Sequence, residues 1–258
     1  MIEFYRQLGL SMSDNSNSVP MIEAQGLSKF YGDFAACRDV SFEVKQGEIV
    51  AFLGPNGAGK STAMKLLTGY LSPSAGIARI AGHDMANDRL AGSTRLGYLP
   101  ENGPLYPDMT PAGLLDFFAD ARGLSQSEKR SRTEAVADIC ALSTVFHKPI
   151  SKLSKGYRQR VGMAQALLHE PEVLIMDEPT AGLDPNQIHE VRRTMQRLGA
   201  ARTILLSTHI LQEVEAMASR VIVINEGRIV ADGPISQFTE GGKSLGDEFQ
   251  RLTAGTAT

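Results

Sequence analysis

Residues 49–62 read IVAFLGPNGAGKST, so an apolar run is followed by three glycines, a lysine and two hydroxyl side chains. The run at 48–53 predicts a buried strand, and residues 60–69 predict a helix. Glycine costs conformational entropy and adds nothing to a core. We therefore expect the turn between this strand and this helix to serve a purpose that bulky side chains would prevent.

The turn matches the pattern G-x-x-x-x-G-K-[ST] through Gly54, Gly59, Lys60 and Ser61, in the strand-turn-helix context where that pattern binds phosphates. Its backbone N–H groups can approach phosphate oxygens, and the helix start adds a positive dipole end. Lys60 is expected to reach the β- and γ-phosphates and Ser61 to ligate Mg²⁺. The alternative is a glycine-rich turn that arises by chance. The predicted nucleotide-binding residues here are Gly54, Pro55, Asn56, Gly57, Ala58, Gly59, Lys60, Ser61 and Thr62.

The composition is that of an ordinary globular protein. A chain of 258 residues suits one large domain or one domain with small subdomains. The formal net charge of −3 gives no global attraction to nucleic acid or to an anionic membrane. Cys37 and Cys140 form neither a disulfide framework nor a metal spacing, and they fit a reducing cytoplasm as ordinary thiols. No apolar run approaches the roughly 18 residues that cross a bilayer.

Two carboxylates follow another apolar run, VLIMDE at 173–178. The run predicts a buried strand, with Asp177 at its end to hold Mg²⁺ through water and Glu178 to act as general base on the attacking water. The alternative is a strand that ends in two solvated acids. A phosphate cradle elsewhere in the chain favours the catalytic interpretation.

One histidine also follows a predicted strand, since TILLS is followed by Thr208 and His209. A strand beside the acid-bearing one would place the imidazole of His209 near the γ-phosphate, so we expect His209 to be catalytic. A lone histidine is more often structural, and that interpretation is kept for the rest of them: His83, His147, His169 and His189.

The segment LSKGYRQR at 153–160 resembles the signature sequence of ABC-type ATPases, usually Leu-Ser-Gly-Gly-Gln followed by basic residues. It stands in family order with GPNGAGKST, VLIMDEPTAGLD and STH, and the resemblance covers residues 21–235. It implies an α/β fold with a P-loop NTPase core, a mainly parallel sheet, an N-terminal antiparallel β subdomain and an inserted helical subdomain.

The expected organisation follows from the positions of these motifs. Residues 21–240 would form the ATPase domain, and the helical subdomain would cover about 102–168. Ser125 and Glu128 form a predicted capping box within it. Residues 1–20 would be a flexible N-terminal extension or an artefact of start-site choice, and residues 241–258 a weakly amphipathic C-terminal tail.

The resemblance also implies a head-to-tail dimer with two ATP molecules between the subunits. Ser154 and Gly156 would contact ATP held by the partner, and residues 181–184 would cross between the sites. Tyr31 matches the aromatic residue that stacks on adenine. The alternative for Tyr31 is a core aromatic, although Phe30 is expected to fill that place.

The chain departs from the family pattern in two motifs. Lys155 and Tyr157 replace the usual Gly and Gln of the signature, while the phosphate-contacting Ser154 and Gly156 remain. Glu101 replaces the glutamine that contacts Mg²⁺, and a carboxylate can also ligate this metal. Together these features resemble bacterial exporter ATPases of the gliding-motility type.

The resemblance favours an ATP-hydrolysing transporter motor, with ATP and Mg²⁺ as cofactors. Its expected partners are membrane-spanning permease subunits and a second ATPase subunit, identical or homologous, without nucleic acid. It would lie at the cytoplasmic face of the inner membrane, held through the permease. The main alternative is a soluble ABC-type ATPase that acts on nucleic acid or ribosomes. A P-loop kinase would leave LSKGYRQR and STH unexplained.

The segment NGPLYPDMTP at 102–111 follows Glu101 and holds three prolines, which favour an extended loop. Leu105, Tyr106 and Met109 are expected to be exposed there and to receive a helix of the membrane subunit. The alternative is that they pack onto the helical subdomain.

Overall fold

The computed structural model describes residues 19–103, 105–199 and 201–254. The predicted extension at 1–20 therefore lies outside the described residues except for its last two positions. The strands are β1 (Ile22–Tyr31), β2 (Phe34–Val44), β3 (Ile49–Leu53), β4 (Ala75–Ile80), β5 (His83–Asp84), β6 (Leu96–Leu99), β7 (Val173–Asp177), β8 (Thr203–Thr208), β9 (Arg220–Asn225) and β10 (Arg228–Pro234). The α-helices are α1 (Lys60–Leu67), α2 (Arg89–Arg95), α3 (Pro111–Ala121), α4 (Gln126–Ile139), α5 (Lys155–Leu167), α6 (Pro185–Gly199), α7 (Leu211–Met217), α8 (Ile235–Phe238) and α9 (Leu245–Thr253).

The central sheet has six strands in the order β10-β9-β3-β8-β7-β6. The pairings of β3 with β8 and β9, of β7 with β8 and of β6 with β7 are parallel, and only β10 runs antiparallel to its neighbour. Parallel strands alternate with helices along the chain because each crossover needs a connecting element. The prediction of an α/β fold with a mainly parallel sheet is confirmed.

Both faces of this sheet are buried, and β3 shows how its residues divide between them. Ala51 and Leu53 join the core that contains the inserted helices, whereas Val50 and Phe52 join the core around α1 and the second sheet. The alternation follows from the two-residue period of a strand, and a sheet covered on both faces needs apolar residues at nearly every position.

The second sheet is antiparallel, in the order β2-β1-β4-β5, as predicted for the N-terminal region. The inserted helices α3, α4 and α5 lie between β6 and β7 in the chain. The predicted capping box is confirmed: Ser125 accepts from the backbone of Glu128, whose carboxylate accepts from the backbone of Ser125. In the described part of the chain no helix has the length and apolar character needed to cross a membrane.

Buried thiols and a capped C-terminal helix complete the core. Burial raises the pKa of Cys37 to about 11 and that of Cys140 to about 12, so neither thiol is a reactive thiolate at neutral pH. Within the predicted tail, Ser244 and Asp247 form a second capping box at the start of α9, and Leu245 is buried.

Candidate functional site

The phosphate-binding pattern forms the turn that joins β3 to α1. Gly59 caps the helix with φ of +102°, and a side chain there would collide with the carbonyl oxygen of Ala36. Gly57 also has a positive φ, of +83°, but faces open space. Glycine is therefore needed at position 59 for packing and at position 57 for backbone conformation.

Lys60 is the first residue of α1, and its side chain is buried. Its Nζ donates to the carbonyl oxygens of Gly54 at 2.8 Å and Pro55 at 3.2 Å. The same atom lies 3.4 Å from Oε1 of Glu178, which follows β7. The structure therefore brings the predicted cation and the predicted general base into direct contact.

Glu178 is held in a strained backbone conformation at the end of β7. Its φ is +49°, in the left-handed region that a side chain disfavours. Its N–H is directed at the carbonyl oxygen of Ser207, at 3.2 Å, and at Oγ of the same residue, at 3.0 Å. Strain of this kind persists where surrounding contacts hold it, and it is common in functional sites.

His209 completes this group of side chains. In the parallel register of β7 and β8, Asp177 pairs with Ser207, so the residues that follow the two strands emerge side by side. Nδ1 of His209 lies 2.9 Å from Oε2 of Glu178. The expectation that β8 lies beside the acid-bearing strand is thus met in the structure.

A cleft of about 470 Å³ lies over the turn and these side chains. It combines an ammonium group, a carboxylate, an imidazole, hydroxyl groups and the N-terminal end of α1, a set of groups suited to a polyphosphate and an attacking water. The residues lining the cleft are Phe34, Ala36, Asn56, Gly57, Gly59, Lys60, Ser61, Thr62, Glu101, Glu178, Ala181 and His209.

The three predicted metal ligands, Ser61, Asp177 and Glu101, all line an adjoining cavity of about 450 Å³. Asp177 is buried and accepts from the Ser207 hydroxyl at 2.5 Å. The residues described here include no group of three His, Cys, Asp or Glu side chains that could hold a metal alone. This donor set fits Mg²⁺, which binds through few carboxylates and otherwise through water and phosphate oxygens.

The aromatic residues near the cleft differ from expectation. Tyr31 is 54% exposed at the end of β1, with Nζ of Lys29 5.5 Å from its ring centre, while Phe34 lines the cleft. Sequence reasoning missed Phe34, although it lies on the same hairpin as Tyr31. The expectation that Phe30 is a core residue is wrong, since it is 43% exposed.

The predicted signature residues lie at the start of α5, outside the cleft lining. Ser154 is exposed and caps the helix by accepting from the backbone N–H of Tyr157. Gly156 is buried, and a side chain there would collide with the side chain of Gln187 on α6. One chain therefore does not bring Ser154 and Gly156 to its own phosphate-binding turn.

The comparisons with known proteins agree on one family. A family model described as "ABC transporter" matches residues 37–181. The "Uncharacterized ABC transporter ATP-binding protein YxlF" of Bacillus subtilis (strain 168) is 36% identical over 220 residues, 85% of this chain and 73% of that protein. The "Nod factor export ATP-binding protein I" of Ralstonia nicotianae (strain ATCC BAA-1114 / GMI1000) is 36% identical over 217 residues, 84% of this chain and 68% of that protein.

A solved structure agrees with these sequence relatives. The "Structure of ATP binding subunit of ABC transporter" has a TM-score of 0.81 and 34% identity, and the match covers 90% of this chain and 99% of that one. The chain therefore belongs to the ABC transporter family. It is an ATP-binding subunit of that family and an ATPase.

Proposed function

We propose that this ABC-family ATPase binds ATP in the cleft beside α1, hydrolyses it with Glu178 as general base, and drives transport through separate membrane subunits. The observation that carries the assignment of roles is the convergence of three side chains. The carboxylate of Glu178 lies 2.9 Å from Nδ1 of His209 and 3.4 Å from Nζ of Lys60.

In this proposal each side chain has one task. Lys60 places positive charge beside the β- and γ-phosphates. Glu178 accepts a proton from the attacking water, and His209 orients that carboxylate and contacts the γ-phosphate. Bound Mg²⁺ would neutralise phosphate charge, held by Ser61, Asp177 and Glu101. Tyr31, with Phe34, provides an aromatic surface for the adenine.

Replacing the central cation tests the assignment of the cleft. Lys60→Ala should weaken ATP binding and turnover at least about tenfold, because it removes a charge-assisted contact to the phosphates. Lys45→Ala removes the same charge from an exposed position beyond the other end of the sheet and is the control. Equal ATP affinity and turnover in both variants would refute the proposed site.

We further propose that a second copy of the chain, or a close homologue, supplies Ser154 and Gly156 to each ATP. The position of these residues outside their own cleft supports this arrangement. A Lys60→Ala subunit paired with a Ser154→Arg subunit would carry both lesions in one composite site and keep the other intact. A subunit with both changes, paired with wild type, would leave no intact site. Equal turnover of these two mixed dimers would contradict the head-to-tail arrangement.

The membrane partner is proposed to dock beside the loop after Glu101. The expectation that Leu105 and Met109 are exposed is wrong, because both are partly buried against the core of the helical subdomain. Tyr106 remains 53% exposed and meets Phe117, 48% exposed, edge to face at 6.2 Å between ring centres. These two aromatic rings are the docking surface that we propose. Export is the proposed direction, since a relative at 36% identity is named for export.

A charge at this surface tests the docking. Tyr106→Asp should keep ATP binding by the purified chain and reduce its co-purification with the proposed membrane subunits. Val230→Asp, at another exposed apolar position on β10, is the control. If Tyr106→Asp assembles and transports like the control, the aromatic pair is not the docking surface.

A further inference from the structure

Glu213 is a fully buried carboxylate on α7 that the proposed mechanism leaves unused. Its exposure is 0%, although a buried charge is costly unless it is hydrogen-bonded. One carboxylate oxygen accepts from the hydroxyl of Thr180, and the other accepts from the hydroxyl of Thr208 at 2.7 Å. A carboxylate is suited to this position because both of its oxygens accept and neither donates.

The two threonines belong to the two segments that carry the catalytic side chains. Thr180 lies two residues after Glu178, and Thr208 directly precedes His209. The hydroxyl of Thr208 also accepts from the N–H of Ile210 at 3.0 Å, which fixes the turn around His209. Glu213 therefore links the segment after β7 to the carboxyl end of β8.

Thr208 connects the same link to the phosphate-binding turn. Its carbonyl oxygen lies 3.4 Å from the N–H of Gly54, the first glycine of that turn. One residue thus contacts Glu213 through its side chain and the turn through its backbone. Glu213 thus contacts Thr180 and Thr208 directly, and Thr208 in turn contacts the phosphate-binding turn.

The strained backbone of Glu178 gives this link a purpose. The positive φ there requires contacts that hold the chain on both sides. Ser207 holds the N–H of Glu178, and the link from Thr180 to Glu213 holds the chain that follows. The turn after Glu178 is also closed by a hydrogen bond from the N–H of Ala181 to the carbonyl oxygen of Glu178, at 3.1 Å. Without the contact to Glu213, this turn would lose its side-chain anchor on α7 and would be freer to shift.

We propose that Glu213 is a positioning residue that keeps Glu178 and His209 within hydrogen-bonding distance during ATP hydrolysis. This inference rests on the roles proposed above for Glu178 and His209. Glu213 itself touches neither nucleotide nor water in this scheme. It acts through the hydroxyl groups of Thr180 and Thr208.

Glu213→Gln is the first test, because it keeps the volume and leaves only one accepting oxygen. With the purified full-length chain and MgATP, steady-state turnover should fall about tenfold, the effect of losing one hydrogen bond to a charged group. Equilibrium ATP affinity should stay within about twofold of wild type, since the phosphate-contacting groups remain. Glu215→Gln makes the same chemical change at an exposed position on α7 and is the matched control.

Variants of Thr208 separate positioning from general stability. Thr208→Val removes the hydroxyl and should reproduce the loss of turnover, whereas Thr208→Ser keeps it and should restore turnover. The inference is overturned if Glu213→Gln turns over like wild type, or if turnover, ATP affinity and melting temperature fall together in Glu213→Gln and Thr208→Val. Glu178→Gln, measured alongside, tests the proposed function: if it abolishes turnover while Glu213→Gln does not, only the positioning role fails.

Discussion

The two ends of the parallel sheet carry similar residue types in contrasting surroundings. At the amino ends of the strands, the guanidinium of Arg220 on β9 donates to Asp232 at 2.7 Å and to Glu48 at 3.2 Å. His169 hydrogen-bonds the carbonyl oxygen of Leu96 at 3.0 Å. At the carboxyl ends, Glu178 and His209 contact each other and line an open cleft.

The difference shows how environment decides the task of a charged group. At the amino ends, carboxylates and cations are satisfied by each other and connect neighbouring strands. At the carboxyl ends, Glu178 sits on a strained backbone and its carboxylate faces a cavity. Open α/β sheets bind ligands at the carboxyl ends of their strands, where loops diverge and leave a crevice. We infer that the amino ends serve stability and the carboxyl ends serve chemistry.

The largest effect is expected from changing the acids at the two ends of β7. Glu178→Gln should lower turnover about a hundredfold or more, because the attacking water loses its base while the phosphate-binding turn stays intact. Glu172→Gln, just before the same strand, should turn over like wild type, since Glu172 pairs with Arg95 on the surface. Steady-state ATPase and ATP-binding assays would measure both. Similar turnover in the two variants would contradict the assignment of chemistry to the carboxyl ends of the strands.

The two histidines should show the same contrast between the ends of the sheet, with a smaller effect on turnover. His209→Gln should lower turnover about tenfold, the effect of losing one hydrogen bond to the Glu178 carboxylate. His169→Gln should leave turnover unchanged, because His169 is half-buried at the amino ends of the strands and does not line the cleft. ATPase assays of the two variants at equal protein concentration would decide. If His169→Gln folds normally and still loses turnover, the amino ends of the strands contribute to the chemistry, and the comparison is contradicted.

The smallest effect concerns stability at low pH. Burial lowers the pKa of His169 to about 4, and the charge of Arg122 acts in the same direction. The unfolded chain therefore takes up this proton near pH 6.5, whereas the folded chain takes it up only near pH 4. Between these values the contribution of His169 to stability should decrease as pH falls, by on the order of 2 kcal/mol.

Denaturant unfolding of wild type and His169→Gln across that pH range would isolate this contribution. The difference in unfolding free energy between the two should change steadily from pH 6.5 to pH 4. A difference independent of pH would mean that His169 is as easily protonated in the folded chain as in the unfolded one.

Much of the site could be predicted because its motifs are short stretches of sequence and because strands and helices alternate regularly along the chain. The spacing around Lys60 predicts a turn between strand and helix, and parallel strands bring Glu178 and His209 to one edge. Phe30 was misjudged because the pairing of β1 with β2 is irregular between Lys29 and Phe30, which breaks the alternation of faces. The predicted domain boundaries and residue roles stay predictions.

Glu213 shows what local patterns cannot reveal. It lies 33 residues from Thr180, and nothing in its neighbourhood in the sequence marks it as buried. A glutamate on a short helix normally faces solvent. Only the packing of α7 against the segment after β7 and the end of β8 gives this one two hydroxyl partners.

The contact between Gly156 and Gln187 has a consequence for protein engineering. Because the Gln187 side chain fills the space that a Cβ at position 156 would need, the two positions behave as one packing unit. Gly156→Ala alone should be poorly tolerated. Gly156→Ala combined with a shorter residue at 187 should be tolerated better, because the shorter side chain leaves room for the added Cβ. Libraries that randomise the start of α5 therefore need to include position 187, 31 residues further along the chain.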